Sequence, residues 1–180
     1  LQTADPLDFE VIICDSYSSD GTSELIREYV NNCLFKIIHV HTTNNLAAKR
    51  NLGIRSSNNR LVVFLDDDCV PTKSLIEEYQ KAFRRYGFGK RVAFCGEVRY
   101  PEQFVLKSNY YRFRDSRHFG FGDCGKKFDT LDYKTIVVMN MCFERDIFAT
   151  TVGVVNEEFI GYGAEDQDLG WRMQEAGFTL

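Results

Sequence analysis

VVFLDDDCVP, residues 62–71, is an apolar run that ends in three adjacent carboxylates. Such a run is typical of a buried strand, so Asp66, Asp67 and Asp68 are expected where that strand leaves the interior. Three neighbouring anions repel one another, and partial burial of their charge without a counter-charge is unfavourable. A positively charged partner is therefore expected beside them.

Strand and helix patterns alternate on both sides of this stretch. Strand patterns are FEVIIC (9–14), CLFKIIHVH (33–41), RLVVFL (60–65) and RVAFCGEVRY (91–100), separated by the helical patterns GTSELIREYVNN (21–32), NNLAAKRNLGIRSSN (44–58) and TKSLIEEYQKAFRRYG (72–87). The second of these helices is predicted to be capped at its start. The alternation predicts an α/β fold with a Rossmann-like, mostly parallel sheet and helices on both faces. In such sheets ligands bind beyond the carboxyl ends of the strands, where Asp15 and the acidic triplet fall.

The composition predicts a single globular domain. The chain has 180 residues, a net charge of −4 and no segment approaching ~18 consecutive apolar residues. We therefore expect no membrane span and no signal peptide, and a cytoplasmic location, with peripheral association at the inner face of the membrane left open. The negative charge argues against a broad surface for nucleic acid.

The six cysteines are scattered, which excludes a zinc knuckle recognisable from their spacing. They are Cys14, Cys33, Cys69, Cys95, Cys124 and Cys142. Several lie in apolar runs, where a reduced thiol packs as a small hydrophobic group. Reduced, structural cysteines in a cytosolic protein are the favoured interpretation, and a disulfide framework is the alternative.

Residues 100–133 interrupt the alternation. The stretch is rich in Tyr, Phe, Gly and basic side chains without a sustained period, so a long irregular loop, such as a lid, is expected. Interleaved aromatic and arginine side chains also suit stacking on single-stranded nucleic acid, but nothing else in the sequence supplies a basic groove. Beyond it, residues 134–148 predict a strand and a short helix, and residues 165–177 predict a final helix.

The spacing of Asp66 and Asp68 suits a divalent metal ion. In an extended chain these two side chains point the same way, and Asp67 points the other way. Two oxygen ligands so placed suit Mg²⁺ or Mn²⁺, which complete their coordination with water and phosphate oxygens. The alternative is a solvated acidic turn in which Asp67 or Asp68 caps the helix near Thr72.

Asp15 closes the first strand and precedes the turn-rich stretch SYSSDGT. Its carboxylate can accept hydrogen bonds from a base or a sugar, which would discriminate between nucleotides. The alternative is an Asx-turn that stabilises the loop. Lys49 and Arg50, in the second helical pattern, can approach phosphates as cations, or one of them can be a solvated helix residue.

The segment GYGAEDQDLGWR, residues 161–172, begins a helix with three carboxylates. Acidic residues are common there because they favour the positive end of the helix dipole, and Asp168 and Arg172 are spaced for a surface ion pair. In the functional interpretation, Gly161 and Gly163 let the backbone approach a ligand while one carboxylate removes a proton from an attacking hydroxyl.

Together these segments resemble the family 2 glycosyltransferases of the GT-A fold. FEVIICDSYSSDGT is similar to the family's strand-Asp-Asp-Gly-Ser segment, NLAAKRNLGI to its Asn-x-Gly-Ile helix and VVFLDDDCVP to its DXD motif. VMNMCFERDIF and GVVNEEFIGYGAEDQDLGWRMQEAGF resemble its acceptor half and its Glu-Asp motif. The motifs occur in the family's order.

The resemblance implies a donor site for a nucleotide sugar. The residues that it places at the nucleotide are Asp15, Lys49, Arg50, Asp66 and Asp67, and those that it places at the metal ion are Asp66 and Asp68. Asp15 would contact the base and the DXD motif would reach the ribose and the metal ion. Ser16 and Tyr17 stand where the family has Asp and Gly, so altered base recognition is expected.

The resemblance also implies an acceptor site. Asp166 would be the catalytic base, Glu165 and Gly163 would bind the acceptor sugar, and Asn140 would lie on the acceptor side. A single base suits an inverting displacement, in which the acceptor hydroxyl attacks the anomeric carbon opposite the leaving nucleoside diphosphate.

The resemblance implies one GT-A domain over residues 1–180. Its nucleotide-binding part would cover residues 1 to about 100, and its acceptor-binding part residues from about 101 to 180. LQTADPLDFE, residues 1–10, resembles the end of the family's first helix, so the chain is expected to be a fragment at both ends.

The expected function is a metal-dependent, inverting glycosyltransferase. It would use Mn²⁺ or Mg²⁺ to transfer a sugar from a nucleotide sugar, foremost a UDP-sugar, to a glycan or polysaccharide acceptor, with no nucleic acid as partner. One alternative is a non-catalytic remnant that binds nucleotides or sugars. Another is a nucleotidyltransferase of related fold, although no glycine-rich phosphate loop with basic residues lies near the start of the chain.

Overall fold

The computed structural model describes residues 2–115, 131–134, 136, 138–161 and 163–180. Its first half alternates strands and helices as predicted: β1 (Glu10–Asp15), α1 (Thr22–Asn32), β2 (Lys36–His41), α2 (Leu46–Ser56), β3 (Leu61–Leu65), α3 (Leu75–Ala82) and β4 (Ala93–Cys95). A 3-10 turn, Pro6–Asp8, precedes β1, and a π-helical turn, Phe83–Gly87, extends α3.

The second half begins differently from the prediction. Two short helices, α4 (Glu102–Lys107) and α5 (Asn109–Arg114), occupy the start of the stretch expected to be an irregular loop. Residues 116–130 of that stretch, with Cys124, lie outside the described residues. The strand and two helices that follow agree with the prediction: β5 (Asn140–Glu144), α6 (Arg145–Thr151) and α7 (Glu165–Glu175).

The strands form two sheets. β1 and β2 pair in parallel, with Asp15 opposite His41. β3 and β4 also run in the same direction, but β5 lies between them and is antiparallel to both. The shared strand directions are those predicted, whereas the inserted antiparallel strand was not, because all five residues of β5 are buried and an apolar run does not reveal its direction.

Helix α2 contacts both sheets. Asn45 caps its start by accepting a hydrogen bond from the Ala48 amide at 2.9 Å. On one side it packs closely on β1, since a Cβ added at Gly53 would lie 3.3 Å from Cys14 Sγ. On another side the Arg50 guanidinium lies 5.9 Å from the centre of the Phe64 ring in β3.

The main core lies around β5. Phe143 packs edge-on against Phe64, with ring centres 5.1 Å apart, and against Phe148 of α6 at 4.5 Å. Leu169 and Met173 of α7 are fully buried in the same cluster. This packing sets where α7 begins relative to the end of β3, and both positions carry the carboxylates singled out in the sequence.

The five cysteines of the described residues are all free thiols, in agreement with the reduced interpretation. Burial, together with the smaller effect of the nearby Asp166, raises the pKa of Cys95 to about 12. No helix in the described part of the chain is long and apolar enough to cross a membrane.

Candidate functional site

Arg50 joins two acidic segments that are far apart in the sequence. Its guanidinium Nη1 donates to Asp166 Oδ1 at 2.9 Å, and its Nη2 lies 3.9 Å from Asp66 Oδ1. Only 8% of the arginine is exposed, so this charge is compensated within the protein rather than by water. The end of β3 and the start of α7 therefore meet at one cation, as the prediction of a shared site requires.

The acidic triplet lies in a turn rather than in a strand. β3 ends at Leu65, and the Cys69 amide donates to the Asp66 carbonyl at 3.0 Å, which closes the turn. The alternation argument for Asp66 and Asp68 therefore does not apply, because it requires an extended chain. Asp67 and Asp68 are exposed, and no side-chain cap is formed at the start of α3, so neither residue caps that helix.

Asp66 is the partly buried carboxylate of the triplet. Partial burial raises the pKa of its carboxyl group above the ordinary value, Arg50 opposes this shift, and the neighbouring carboxylates of Asp166, Asp68 and Asp67 increase it. Burial, the largest cause, and the like charges together therefore outweigh Arg50. A divalent cation bound here would oppose this shift.

Asp166 is held from two sides. Its Oδ1 accepts from Arg50, and its Oδ2 accepts from the Val138 amide at 3.1 Å. Each carboxylate oxygen has two lone pairs, so both oxygens can accept one further hydrogen bond. Asp168, two residues on, instead pairs with Arg172 at 2.9 Å, as its spacing predicted.

The glycine-rich segment before α7 is shaped by backbone conformations that favour glycine. Gly161 and Gly163 have φ values of 135° and 112°, and a Cβ at either position would meet no neighbour. The Gly163 amide donates to Glu165 Oε2 at 2.9 Å, and Glu165 is buried. The carboxylate that was predicted to bind the acceptor is thus engaged with the loop that it follows.

Two asparagines of the α2 segment hold the chain that leads into α7, and sequence reasoning missed both. Asn51, 1% exposed, donates to the Val155 carbonyl and to Glu157 Oε1 and accepts from the Val155 amide. Asn45 donates to the carbonyls of Glu157 and Phe159. Together these hydrogen bonds form a clamp between α2 and residues 155–159. The one signal in the sequence was that Asn51 directly follows Arg50 in the same helix.

Asn140 is buried at the first position of β5, opposite Leu65. Its carbonyl and amide oxygens accept from the Tyr79 hydroxyl at 2.9 and 2.7 Å, and its Nδ2 donates to the Glu97 carbonyl at 3.4 Å. Gly96 allows this packing, because a Cβ there would lie 2.2 Å from Asn140 Nδ2. The side chain therefore stabilises the strand end beside the acidic turn, and Tyr79 is a partner that the sequence did not indicate.

Asp15 lies apart from the Arg50 cluster, at the carboxyl end of β1. It is buried and accepts from the amides of Ser16 and Ser18 and from the Ser18 hydroxyl, an arrangement like the alternative turn prediction. The pKa of Asp15 is lowered to about 2, and the largest cause is the hydrogen bond from the Ser18 side chain. Its ion-pair partners among the described residues are His39 and His41, both 3.7 Å from Oδ2.

Lys49 does not share the contacts of Arg50. The two residues are adjacent in α2, but Lys49 is only half-buried and lies near Cys14, where its charge opposes the burial that raises the pKa of that thiol. Its charge therefore lies on the β1 side of the helix, and Arg50 lies on the β3 side.

Two sets of side chains have the chemistry to hold a metal ion. Within the described ranges, the group of three that brings ligand atoms within 4.8 Å of one another is Asp15, His39 and His41. The turn from Asp66 to Asp68 offers carboxylate oxygens only, a donor set that suits a hard cation bound by one or two carboxylates together with phosphate.

Both the sequence and the fold match known proteins. A sequence model of the family described as Glycosyl transferase family 2 matches residues 1–148. The uncharacterized glycosyltransferase YfnE of Bacillus subtilis (strain 168) is 21% identical over 96% of this chain and 54% of its own length. Validoxylamine A glucosyltransferase of Streptomyces hygroscopicus subsp. limoneus is 25% identical over 99% of this chain and 44% of its own length. The chain thus spans about half the length of these curated relatives.

The fold is also similar to solved structures. The crystal structure of S. aureus TarS in complex with UDP gives a TM-score of 0.64 at 15% identity, over 97% of this chain and 48% of that chain. A structure of the same protein without UDP in its description gives a TM-score of 0.61 at 16% identity, over 96% of this chain and 48% of that one. The α/β, GT-A fold predicted from the sequence is confirmed.

Proposed function

The chain belongs to glycosyl transferase family 2, and from this premise we propose that it carries the donor and acceptor sites of a metal-dependent, inverting glycosyltransferase. The observation that supports the proposal most directly is the Arg50 cluster. It brings Asp66, at the end of a strand, within reach of the same cation as Asp166, at the start of a helix. This proximity supports a donor site with a base beside it.

The donor is a nucleotide sugar, foremost a UDP-sugar. The bound UDP of the similar TarS structure supports this choice. We assign Asp66 and Asp68 to a Mn²⁺ or Mg²⁺ ion, and Asp67, Lys49 and Arg50 to the surroundings of the nucleotide. When bound, the metal ion supplies positive charge to the leaving diphosphate. The crowding of like charge at Asp66 fits such an ion.

Asp15 is assigned to the nucleotide base. One lone pair of its Oδ2 remains beyond the bond from the Ser18 amide, so it can accept a hydrogen bond from an N–H group of the base. Ser16 and Tyr17, the two departures from the family pattern, directly follow Asp15 in the chain. Their position fits altered recognition of the base.

Asp166 is assigned as the general base of an inverting displacement. As the acceptor oxygen bonds to the anomeric carbon, the bond from that carbon to the diphosphate oxygen breaks, and the hydroxyl proton passes to the Asp166 carboxylate. Arg50 and the Val138 amide keep the carboxylate oriented. Glu165, Gly163 and Asn140 are assigned to the acceptor side.

The acceptor is proposed to be a glycan or polysaccharide. The nucleotide-binding part covers residues 1 to about 100 and the acceptor-binding part residues from about 101 to 180, as the order of the motifs suggests. A cytoplasmic location, with peripheral association at the inner face of the membrane, would bring such an enzyme to a growing glycan.

The test compares sugar transfer by three variants. With labelled UDP-sugars and Mn²⁺, Asp166→Asn should lower turnover about 100-fold or more while UDP binding persists, because loss of a general base removes about 10²–10⁴ in rate. Asp68→Asn should lose metal-dependent UDP binding. Asp168→Asn is the matched control, because it removes a carboxylate two residues from the base that pairs with Arg172 instead. Undiminished transfer by Asp166→Asn would refute the assignment of the base.

A second candidate is a protein that binds nucleotides without transfer. The observation in its favour is that Asp166 is already paired with Arg50, so the base is engaged before any acceptor arrives. Calorimetry that shows metal-dependent UDP binding, together with no transfer and no donor hydrolysis, would favour this candidate.

A further inference from the structure

The ends of β1 and β2 gather one carboxylate and two imidazoles. The parallel register pairs Asp15 with His41, and His39 precedes His41 by two residues, so all three side chains project from one face of the sheet. The Nε2 atoms of both histidines lie 3.7 Å from Asp15 Oδ2. From this arrangement we infer that Asp15, His39 and His41 bind a zinc ion.

One nitrogen of this group lacks a partner. His39 Nε2 is buried and forms no hydrogen bond with any described residue, and its distance of 3.7 Å from Asp15 Oδ2 is too long for one. Buried polar atoms are normally satisfied, so this atom calls for a partner that the described part of the chain does not supply. A metal ion between the two imidazoles and the carboxylate satisfies it.

The donor set selects the class of metal. Two imidazole nitrogens and one carboxylate oxygen are ligands of tetrahedral zinc sites that keep an open fourth position, whereas Mg²⁺ and Ca²⁺ favour oxygen donors. Bonds of about 2.0–2.1 Å in tetrahedral geometry place ligand atoms about 3.3 Å apart. The two Nε2–Oδ2 separations of 3.7 Å are close to this value, and all three ligand atoms lie within 4.8 Å of one another, so side-chain rotations can bring them around one ion.

The carboxylate is already oriented for this role. The amides of Ser16 and Ser18 donate to Asp15 at 2.7 and 3.1 Å, and the bond from Ser18 leaves one lone pair of Oδ2 available to an ion. Hydrogen bonds of this kind to a ligating carboxylate commonly fix its orientation in metal sites. The Tyr17 ring stacks on His41, with ring centres 4.8 Å apart.

The fourth position opens towards solvent. The His41 side chain is 32% exposed, compared with 15% for His39 and 7% for Asp15, so a water molecule or a ligand group can reach the ion from the His41 side. The site uses neither Asp66 nor Asp68, and its nitrogen ligands set it apart from a hard-cation site. It therefore goes beyond the metal dependence proposed for sugar transfer. Because the zinc ion and the nucleotide base would both use Oδ2 of Asp15, the two exclude each other, and the zinc site belongs to the nucleotide-free protein.

The experiment is a titration of chelator-treated protein with ZnCl₂, followed by calorimetry. We expect saturable binding of one zinc ion that millimolar Mg²⁺ does not displace. His41→Ala should weaken the affinity at least tenfold, and His118→Ala is the matched control because it removes the third imidazole of the chain and should leave the affinity unchanged. Asp68→Asn should also leave it unchanged.

Cobalt provides a second measurement that needs no variant. Co²⁺ in place of Zn²⁺ should give the visible absorption of a four-coordinate ion without a thiolate charge-transfer band, because no cysteine belongs to the site. Absence of saturable zinc binding, unchanged affinity in His41→Ala, or a thiolate band would each overturn the inference. None of these results would touch the proposed transfer, which is measured by its Mn²⁺ dependence and by Asp166→Asn.

Discussion

Asp66 is placed by the fold where its ionised form is disfavoured. Arg50 lies 3.9 Å away and offsets part of the cost, but burial and three other carboxylates outweigh it, so the pKa of Asp66 is raised. Ionisable groups at functional sites commonly have pKa values shifted in this way. A neutral side chain in place of Asp66 would remove the unfavourable charge.

Asp66→Asn should therefore stabilise the free protein while it abolishes metal-dependent UDP binding. The side chain is 36% exposed, so solvent screening limits the gain to about 0.5 kcal/mol, or about 1–2 °C in Tm. Differential scanning calorimetry and UDP binding with Mn²⁺ measure the two effects. Lower stability in the variant would mean that the pair with Arg50 outweighs the repulsion.

The pKa of Asp15 is shifted in the direction opposite to that of Asp66, because the fold favours its ionised form. Its folded pKa of about 2 lies below the ordinary value of 3.8, so the stability that it contributes is present above about pH 4 and is lost as the pH falls towards 2. In urea unfolding with chelator present, Asp15→Asn should destabilise the protein more at pH 5 than at pH 2. Asp8→Asn, at an exposed position, should follow the wild type. An equal effect of Asp15→Asn at both pH values would contradict the lowered pKa.

At the scale of the elements, helix α2 connects the parts of the candidate site. It carries the cation that joins Asp66 and Asp166, and its Asn45 and Asn51 hold the segment that leads into α7. The alternation of strands and helices predicted this helix and its cap, since both depend on residues close in the sequence. The clamp was not predicted, because the bond from Asn51 to Val155 spans 104 residues.

Asn51→Ala should destabilise the protein by about 2–3 kcal/mol, because it leaves the buried amide and carbonyl of Val155 without partners. It should also lower sugar transfer by shifting Asp166 relative to Arg50. Asn31→Ala is the matched control, since Asn31 is exposed and bonds only locally to the Arg27 carbonyl. Chemical denaturation measures both variants, and similar losses of stability would show that the clamp contributes little.

At the scale of the whole molecule, the acidic residues assigned to the nucleotide are divided between two sheets. The parallel pair β1 and β2 carries Asp15, and the sheet of β3, β5 and β4 carries the acidic turn. A nucleotide that contacts Asp15 through its base and the acidic turn through a metal ion would link the two sheets. Ligand binding should therefore stabilise the molecule as a unit.

UDP and Mn²⁺ together should raise the Tm more than the sum of their separate effects. At a ligand concentration 100 times Kd the gain is about 2.7 kcal/mol, or about 5–10 °C for a chain of this size. Removal of Mn²⁺ with EDTA should abolish most of this rise in Tm, and the Asp68→Asn variant should not show the rise. Full stabilisation by UDP alone would contradict the proposed metal dependence.

The sequence by itself determined the order of strands and helices, the cap of α2 and the placement of acidic residues at strand ends and at a helix start. These features follow from periodicity and from contacts over a few residues. The tertiary structure alone decided that β5 separates β3 from β4, that Arg50 meets Asp166 across 116 residues, and that Asp15 faces two histidines. Such contacts depend on which strands pair and on how β5 and α7 pack in the core, and both arise only when separate parts of the chain come together.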